Sequence, residues 1–342
     1  MFDKTSLLRA RYLMPSSNLE TLLSSSPSNS RWGELLRLTE GFSEDRIEVL
    51  APDVEAWAGD MLEQTAPPSW IERVAGGEYL PADALITSLD LSETALSGAK
   101  VVKILKNPHM TRLRELDVGR LKVSNTFWKA VRGADATRHL RELRCGYIID
   151  RNSSQFDGQH HLEQLETLTI RQSKVVKDAH LMKLLAAPMT SSVAHLIVEL
   201  EEPDLVNWFL SAMSGEDTLP SLSELTVVTP VGAPLKNIFD APIAQRVESI
   251  SVQLNALYSD LYEQLRKSTE GGTSGPEHLD LSGVTIDPGH LDDFDDEAAA
   301  RYMNNALRRW QLPSQTQKIS LGGWWNENLE GILTERGLEV VR

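Results

Sequence analysis

The chain holds a single cysteine, Cys145, in 342 residues. One thiol excludes an intrachain disulfide and a Cys-rich zinc site, and a reducing compartment, the cytoplasm, is the expected address. Long apolar runs are missing too, since no stretch nears the ~18 residues that span a bilayer. The leading residues, with Asp3, Lys4, Arg9 and Arg11 among them, place charge where a secretory leader is apolar. There is no Walker loop, no G-x-S-x-G elbow and no dinucleotide fingerprint. Gly271-Gly272-Thr273-Ser274-Gly275 lacks the following Lys of a phosphate cradle and reads as a turn. The eight histidines show no zinc spacing, and the acidic run 287–297 lacks the calcium-loop frame. No catalytic, metal or cofactor set is expected, and no cofactor.

Basic residues are also in short supply. Thirty-four Lys and Arg against 49 Asp and Glu give −15, a charge that repels nucleic acid and anionic membrane. The partner expected is therefore a protein, with no nucleic acid and no membrane. The charge is uneven along the chain. Residues 100–183 hold 17 basic and 9 acidic side chains, an excess of +8, while residues 184–300 hold 4 and 20, an excess of −16.

What the chain does have is a repeated phrase: apolar, two variable, apolar, one variable, apolar. It runs through Ile86-x-x-Leu89-x-Leu91, Leu113-x-x-Leu116-x-Val118, Leu140-x-x-Leu143-x-Cys145 and Leu165-x-x-Leu168-x-Ile170. Val193-x-x-Leu196-x-Val198, Leu222-x-x-Leu225-x-Val227 and Val247-x-x-Ile250-x-Val252 follow, then looser copies centred on Leu279 and Ile319. The nine centres are separated by 27, 27, 25, 28, 29, 25, 29 and 40 residues, and chance does not keep such an interval.

These phrases resemble the leucine-rich repeat family, L-x-x-L-x-L-x-x-N/C-x-L, over roughly residues 84–325. The long period resembles the ribonuclease-inhibitor-like subclass, in which a helix follows each strand. The ninth position departs from the family, because only Asn255 supplies the expected Asn. The resemblance implies an α/β fold: a curved solenoid with a parallel β-sheet on the concave face and helices on the convex face. Helical segments between phrases agree, at 99–105, 178–185 and 203–210, with further candidates at 257–267 and 298–310 and a short, poor one near 151–154. Residues 1–80 lack the phrase and read as helices, one of them from 46 to 62 interrupted near Pro52. They are expected to form an N-terminal cap, leaving 81–342 as the solenoid with its C-terminal cap.

On a leucine-rich solenoid the fifth, seventh and eighth phrase positions are expected to face outward from the strands. Arg120, Arg144, Tyr147 and Arg171 then form a partner-binding patch on successive repeats, of residue types that dominate interface energy. Ile197, Leu200, Val228 and Leu254 form an apolar strip beside it, the alternative being that Leu200 and Leu254 turn inward at an irregular bend, and Trp325 of the Trp324-Trp325 pair is the expected exposed aromatic. Cys145, at the sixth position, is expected in the core. The function expected is non-enzymatic protein recognition, as a scaffold, adaptor or inhibitor. The alternatives are a regulatory component bound or cleaved by a protease or toxin-like enzyme, and an enzyme whose site is unrecognised.

Overall fold

The computed structural model describes residues 17–59, 64–146, 156, 160–173, 178–202, 204–213, 215, 217–229, 235–257, 275–287, 315–322 and 327–341. The chain is α/β and divides into two compact units, residues 1–143 with 159–165, and residues 144–158 with 166–342.

The first unit opens with α1 (Ser17–Leu23), α2 (Asn29–Thr39), α3 (Glu44–Ala58) and α4 (Pro68–Gly76). Ser28 caps α2 by accepting from the Arg31 N–H, and Trp32, Leu35 and Leu36 fill its buried face. The interruption expected near Pro52 does not occur. Pro52 lies on the exposed side of α3, where water can satisfy the carbonyl it orphans, while Ile47, Leu50, Val54 and Ala58 anchor the buried side. Pro68 stands at the first turn of α4, where its missing N–H costs nothing, and Gly77 ends that helix at φ +96°.

The repeats then begin: β1 (Ser88–Asp90), α5 (Gly98–Leu105), β2 (Glu115–Asp117), α6 (Asn125–Gly133) and β3 (Glu142–Cys145), which straddles the boundary between the units. β1 and β2 are parallel, with Leu89 opposite Leu116. The Arg114 and Glu115 N–H groups donate to the Thr87 carbonyl, and those of Arg141 and Glu142 donate in the same way to the Arg114 carbonyl. Residues 64–66 run beside β1. Thr65 bridges Ser88, the Gln64 carbonyl accepts from Thr87 and Ser88, and the Ala66 N–H donates to the Ser88 carbonyl. The outer edge of β1 is thus paired within the chain rather than left as a template.

The second unit continues with β4 (Thr167–Gln172), α7 (Asp178–Leu185), β5 (His195–Leu200), α8 (Leu205–Ala212), β6 (Glu224–Thr229) and α9 (Leu235–Asp240). It ends with β7 (Ser249–Leu257), β8 (His278–Leu281), β9 (Val284–Asp287), β10 (Lys318–Leu321), α10 (Glu327–Glu335) and β11 (Glu339–Val341). Its strands lie in the order β4-β5-β6-β7-β8-β10-β11, with β9 beside the far end of β7, and the paired strands are parallel. Leu168, Leu196, Leu225, Ile250, Leu279 and Ile319 stand opposite one another in this register, so the 40-residue interval leaves the frame intact. Val340 of β11 extends the row opposite Ile319. All nine phrase centres are buried, as is Cys145.

A second regular feature precedes the phrase. Short 3-10 turns at Asp135–Thr137, Pro188–Thr190 and Pro242–Gln245 are each entered from an extended alanine: Ala134, Ala187 or Ala241. Each alanine lies six positions ahead of the phrase's first apolar residue, Leu140, Val193 or Val247. Where a helix was expected from 257, β7 instead runs through Leu257. The rest of that segment, residues 151–154 and residues 288–310 lie outside the described residues.

Candidate functional site

Strand alternation sends the fourth and sixth phrase positions into the core, so the third, fifth and seventh emerge on the opposite face. In the second unit the register arranges them as three rows across the strands. The third-position row is Thr167, His195, Glu224, Ser249, His278, Lys318 and Glu339. The fifth-position row is Thr169, Ile197, Thr226, Ser251, Asp280, Ser320 and Val341. Arg171, Glu199, Val228 and Gln253 form the seventh.

Hydrogen bonds link these side chains between strands. Arg171 Nε donates to Glu199 Oε2 at 2.6 Å, and His195 Nε2 meets Thr226 Oγ1 at 2.9 Å. Ser251 Oγ donates to Asp280 Oδ2 at 3.0 Å. The His278 ring lies between two hydroxyls, with Nδ1 3.3 Å from Ser249 Oγ and Nε2 2.9 Å from Ser320 Oγ. Residues 28 to 42 apart in sequence become lateral neighbours in this way. Thr169 is covered on this face, at 1% exposed, and its hydroxyl has no hydrogen-bond partner among the described residues.

The eighth position does not face outward on the long strands. β4, β5 and β6 continue through it, so alternation turns Gln172, Leu200 and Thr229 inward, and all three are buried. Leu200 therefore belongs to the core and not to an outward apolar strip. The outward columns are the third, fifth and seventh, and the third, which carries both imidazoles, is the one the sequence reading omits. A histidine at the third position of one phrase and a hydroxyl at the fifth of the next was the available signal.

Of the expected partner-binding residues, Arg171, Ile197 and Val228 fall on three adjoining strands, each half-buried, with Arg171 and Val228 both opposite Glu199. Arg144 is exposed on β3, and Arg120 is exposed in the turn after β2 of the first unit. Leu254 pairs with Thr229 and Val284 through the backbone, and its side chain lies outside the described residues. Tyr147 and Trp325 also lie outside them.

The first unit's outward positions are Ser88, Glu115 and Glu142 in the third row, with Asp90 and Asp117 in the fifth. Several basic residues of segment 100–183 are engaged elsewhere in that unit. Arg112 and Arg114 both bind Glu55 of α3, and Lys103 Nζ donates to the Gly76 carbonyl. Burial would raise the Glu55 carboxyl pKa, but hydrogen bonds and charge from Arg114 and Arg112 outweigh it and hold the group below its ordinary value.

A fifth-position aspartate has a structural duty. Asp90 Oδ1 accepts from the Ser92 N–H at 2.8 Å, Asp117 Oδ1 from Gly119 at 2.7 Å, and Asp280 Oδ1 from Ser282 at 2.8 Å. Each bond turns the chain at the strand's end. No family model and no curated protein matches the chain.

Proposed function

We propose that the chain is a leucine-rich-repeat-like solenoid that recognises a protein partner through the outward face of its sheet and carries out no turnover. On this reading the sheet is curved with that face concave, and residues 1–80 serve as the N-terminal cap. Pairing of residues 64–66 with β1 supports the cap, because a solenoid end needs its edge and core covered. One observation carries the functional reading: the second unit presents three registered rows of side chains, cross-linked by hydrogen bonds, on parallel strands about 4.8 Å apart. Such a surface holds its groups at fixed spacing before a partner arrives, which lowers the ordering cost of binding.

The test is capture from an extract of the source cells on immobilised full-length protein, alongside the variant Arg171→Ala with Val228→Ala. A stoichiometric protein partner is expected, with affinity for the double variant weakened by about 2 kcal/mol or more if these side chains are anchors. Equal affinity for a variant with an unchanged circular dichroism spectrum places the interface elsewhere. Conversion of a small molecule by the purified chain overturns the non-enzymatic reading.

A further inference from the structure

Across β5 to β8 the outward rows carry Glu199, Glu224 and Asp280 and no Lys or Arg. The cations on the flanking strands are engaged, Arg171 by Glu199 at 2.6 Å and Lys318 by Glu339 at 3.7 Å. Glu224, 59% exposed, has the His195 ring at 3.9 Å as its ion-pair partner among the described residues. Asp280 is held by a hydroxyl and a backbone N–H, neither of which cancels its charge. From β4 to β11 these rows set Arg171 and Lys318 against Glu199, Glu224, Asp280 and Glu339. Two acids are in excess, and two histidines stand among them.

We propose that this face binds a Lys/Arg-bearing protein segment and releases it when His195 and His278 take up protons. The proposal rests on the outward face being a recognition surface and adds the chemistry of its partner. Histidine is the side chain that ordinarily changes charge between about pH 5 and 8. Around His195 the same face presents Glu199 on its own strand, Thr167 and Arg171 on β4, and Glu224 and Thr226 on β6. Around His278 it presents Asp280 on its own strand, Ser249 and Ser251 on β7, and Lys318 and Ser320 on β10.

Protonation acts on such a surface in two ways. Two imidazolium charges cancel the excess of two acids, which removes the attraction for a cationic segment. One hydrogen bond of the His278 ring reverses as well. A neutral ring donates through one nitrogen and accepts through the other, so one of Ser249 and Ser320 donates to His278 while the other accepts. A protonated ring donates from both nitrogens, so both hydroxyls accept from it and turn their own protons outward. Thr226 likewise accepts from a protonated His195. The face then offers donors where a Lys or Arg side chain needs acceptors.

Full-length protein is titrated with fluorescein-labelled decalysine by anisotropy at about pH 7.5 and about pH 5.5, at constant low ionic strength. Wild type is expected to bind roughly 10-fold more weakly at the lower pH, and His195→Gln with His278→Gln to hold its affinity within about 3-fold. At the higher pH, Glu224→Gln with Asp280→Asn should lose about 10-fold, whereas the control Glu163→Gln with Glu335→Gln, exposed acids off these strands, keeps its affinity. Equal wild-type affinity at both pH values, the same fall in the imidazole-free variant, or an equal loss in the control each overturns the proposal. So does failure of wild type to bind the peptide. A natural partner lost with Arg171→Ala and Val228→Ala, in a protein indifferent to decalysine, keeps the recognition surface and removes its cationic, proton-released ligand.

Discussion

Asp83 is fully buried and gathers four donors: Trp70 Nε1, Arg73 Nη2, the Leu80 N–H and Asn107 Nδ2. The cluster ties α4 to the turn that leads into β2, and its members depend on one carboxylate. Asp83→Ala leaves the Arg73 cation and three N–H groups without their acceptor. A loss of about 3–5 kcal/mol is expected, read from the urea midpoint. Glu55 is a milder case. Its folded carboxyl stays below the ordinary 4.5, so the unfolded chain takes up the proton first as the pH falls. Its contribution is present above the unfolded value and is lost as pH drops through the folded one. Between about pH 5 and 3, wild type should lose more stability than Glu55→Gln, by no more than about 1 kcal/mol because the pair is partly exposed. Cys145, buried at its sixth position, should resist thiol reagents until the protein unfolds.

An aspartate at the fifth position goes with a short strand, although β3, with Arg144 there, is also four residues long. With Asp at the fifth position, β1, β2 and β8 are three or four residues long, and with Thr, Ile or Ser there, β4 to β7 run for six to nine. β10 is also short, with Ser320 at that position, and just after it Gly322 passes so close to the Ser282 carbonyl that a side chain would not fit. Gly119 is similar. It sits at φ +58°, and a Cβ there would lie 2.5 Å from Ser92 Cα. Gly119→Ala should therefore cost more than Asp117→Ala, which loses one hydrogen bond of about 1 kcal/mol, and thermal melting of both variants checks the order. The apolar frame was legible in the sequence because burial repeats at fixed spacing, and Leu143→Ala should cost about 2–5 kcal/mol. Strand ends were not legible, since an aspartate that binds its own backbone looks like any outward polar residue. The 3-10 turn was missed for another reason. Its alanine and its buried Thr137 or Thr190, whose hydroxyl reaches carbonyls of the preceding helix, are small residues without a hydrophobic signal.

On the scale of the whole chain, a charge of −15 on 342 residues makes association sensitive to salt. A cationic partner should associate more slowly as salt is added, since exposed charges are screened beyond ~8 Å at physiological ionic strength, and stopped-flow mixing across a salt series measures it. Charge tallied along the sequence did not locate the outward hydrogen-bonded rows. Arg112, Arg114 and Lys103 contribute to the basic segment's excess yet serve contacts within the first unit. The outward network was hidden because its bonds join different repeats, so that His278 finds Ser249 and Ser320 only once the strands are in register.

The aspartate that ends a strand also sets how much that repeat can spell. β4, β5 and β6 each present three outward letters, at the third, fifth and seventh positions, whereas β1 and β2 stop after two. The fifth letter can therefore be both text and punctuation: an Asp there binds its own backbone and closes the word. None of these letters belongs to the apolar frame at the first, fourth and sixth positions. Such a surface can be rewritten one residue at a time while the grammar that folds it stays fixed.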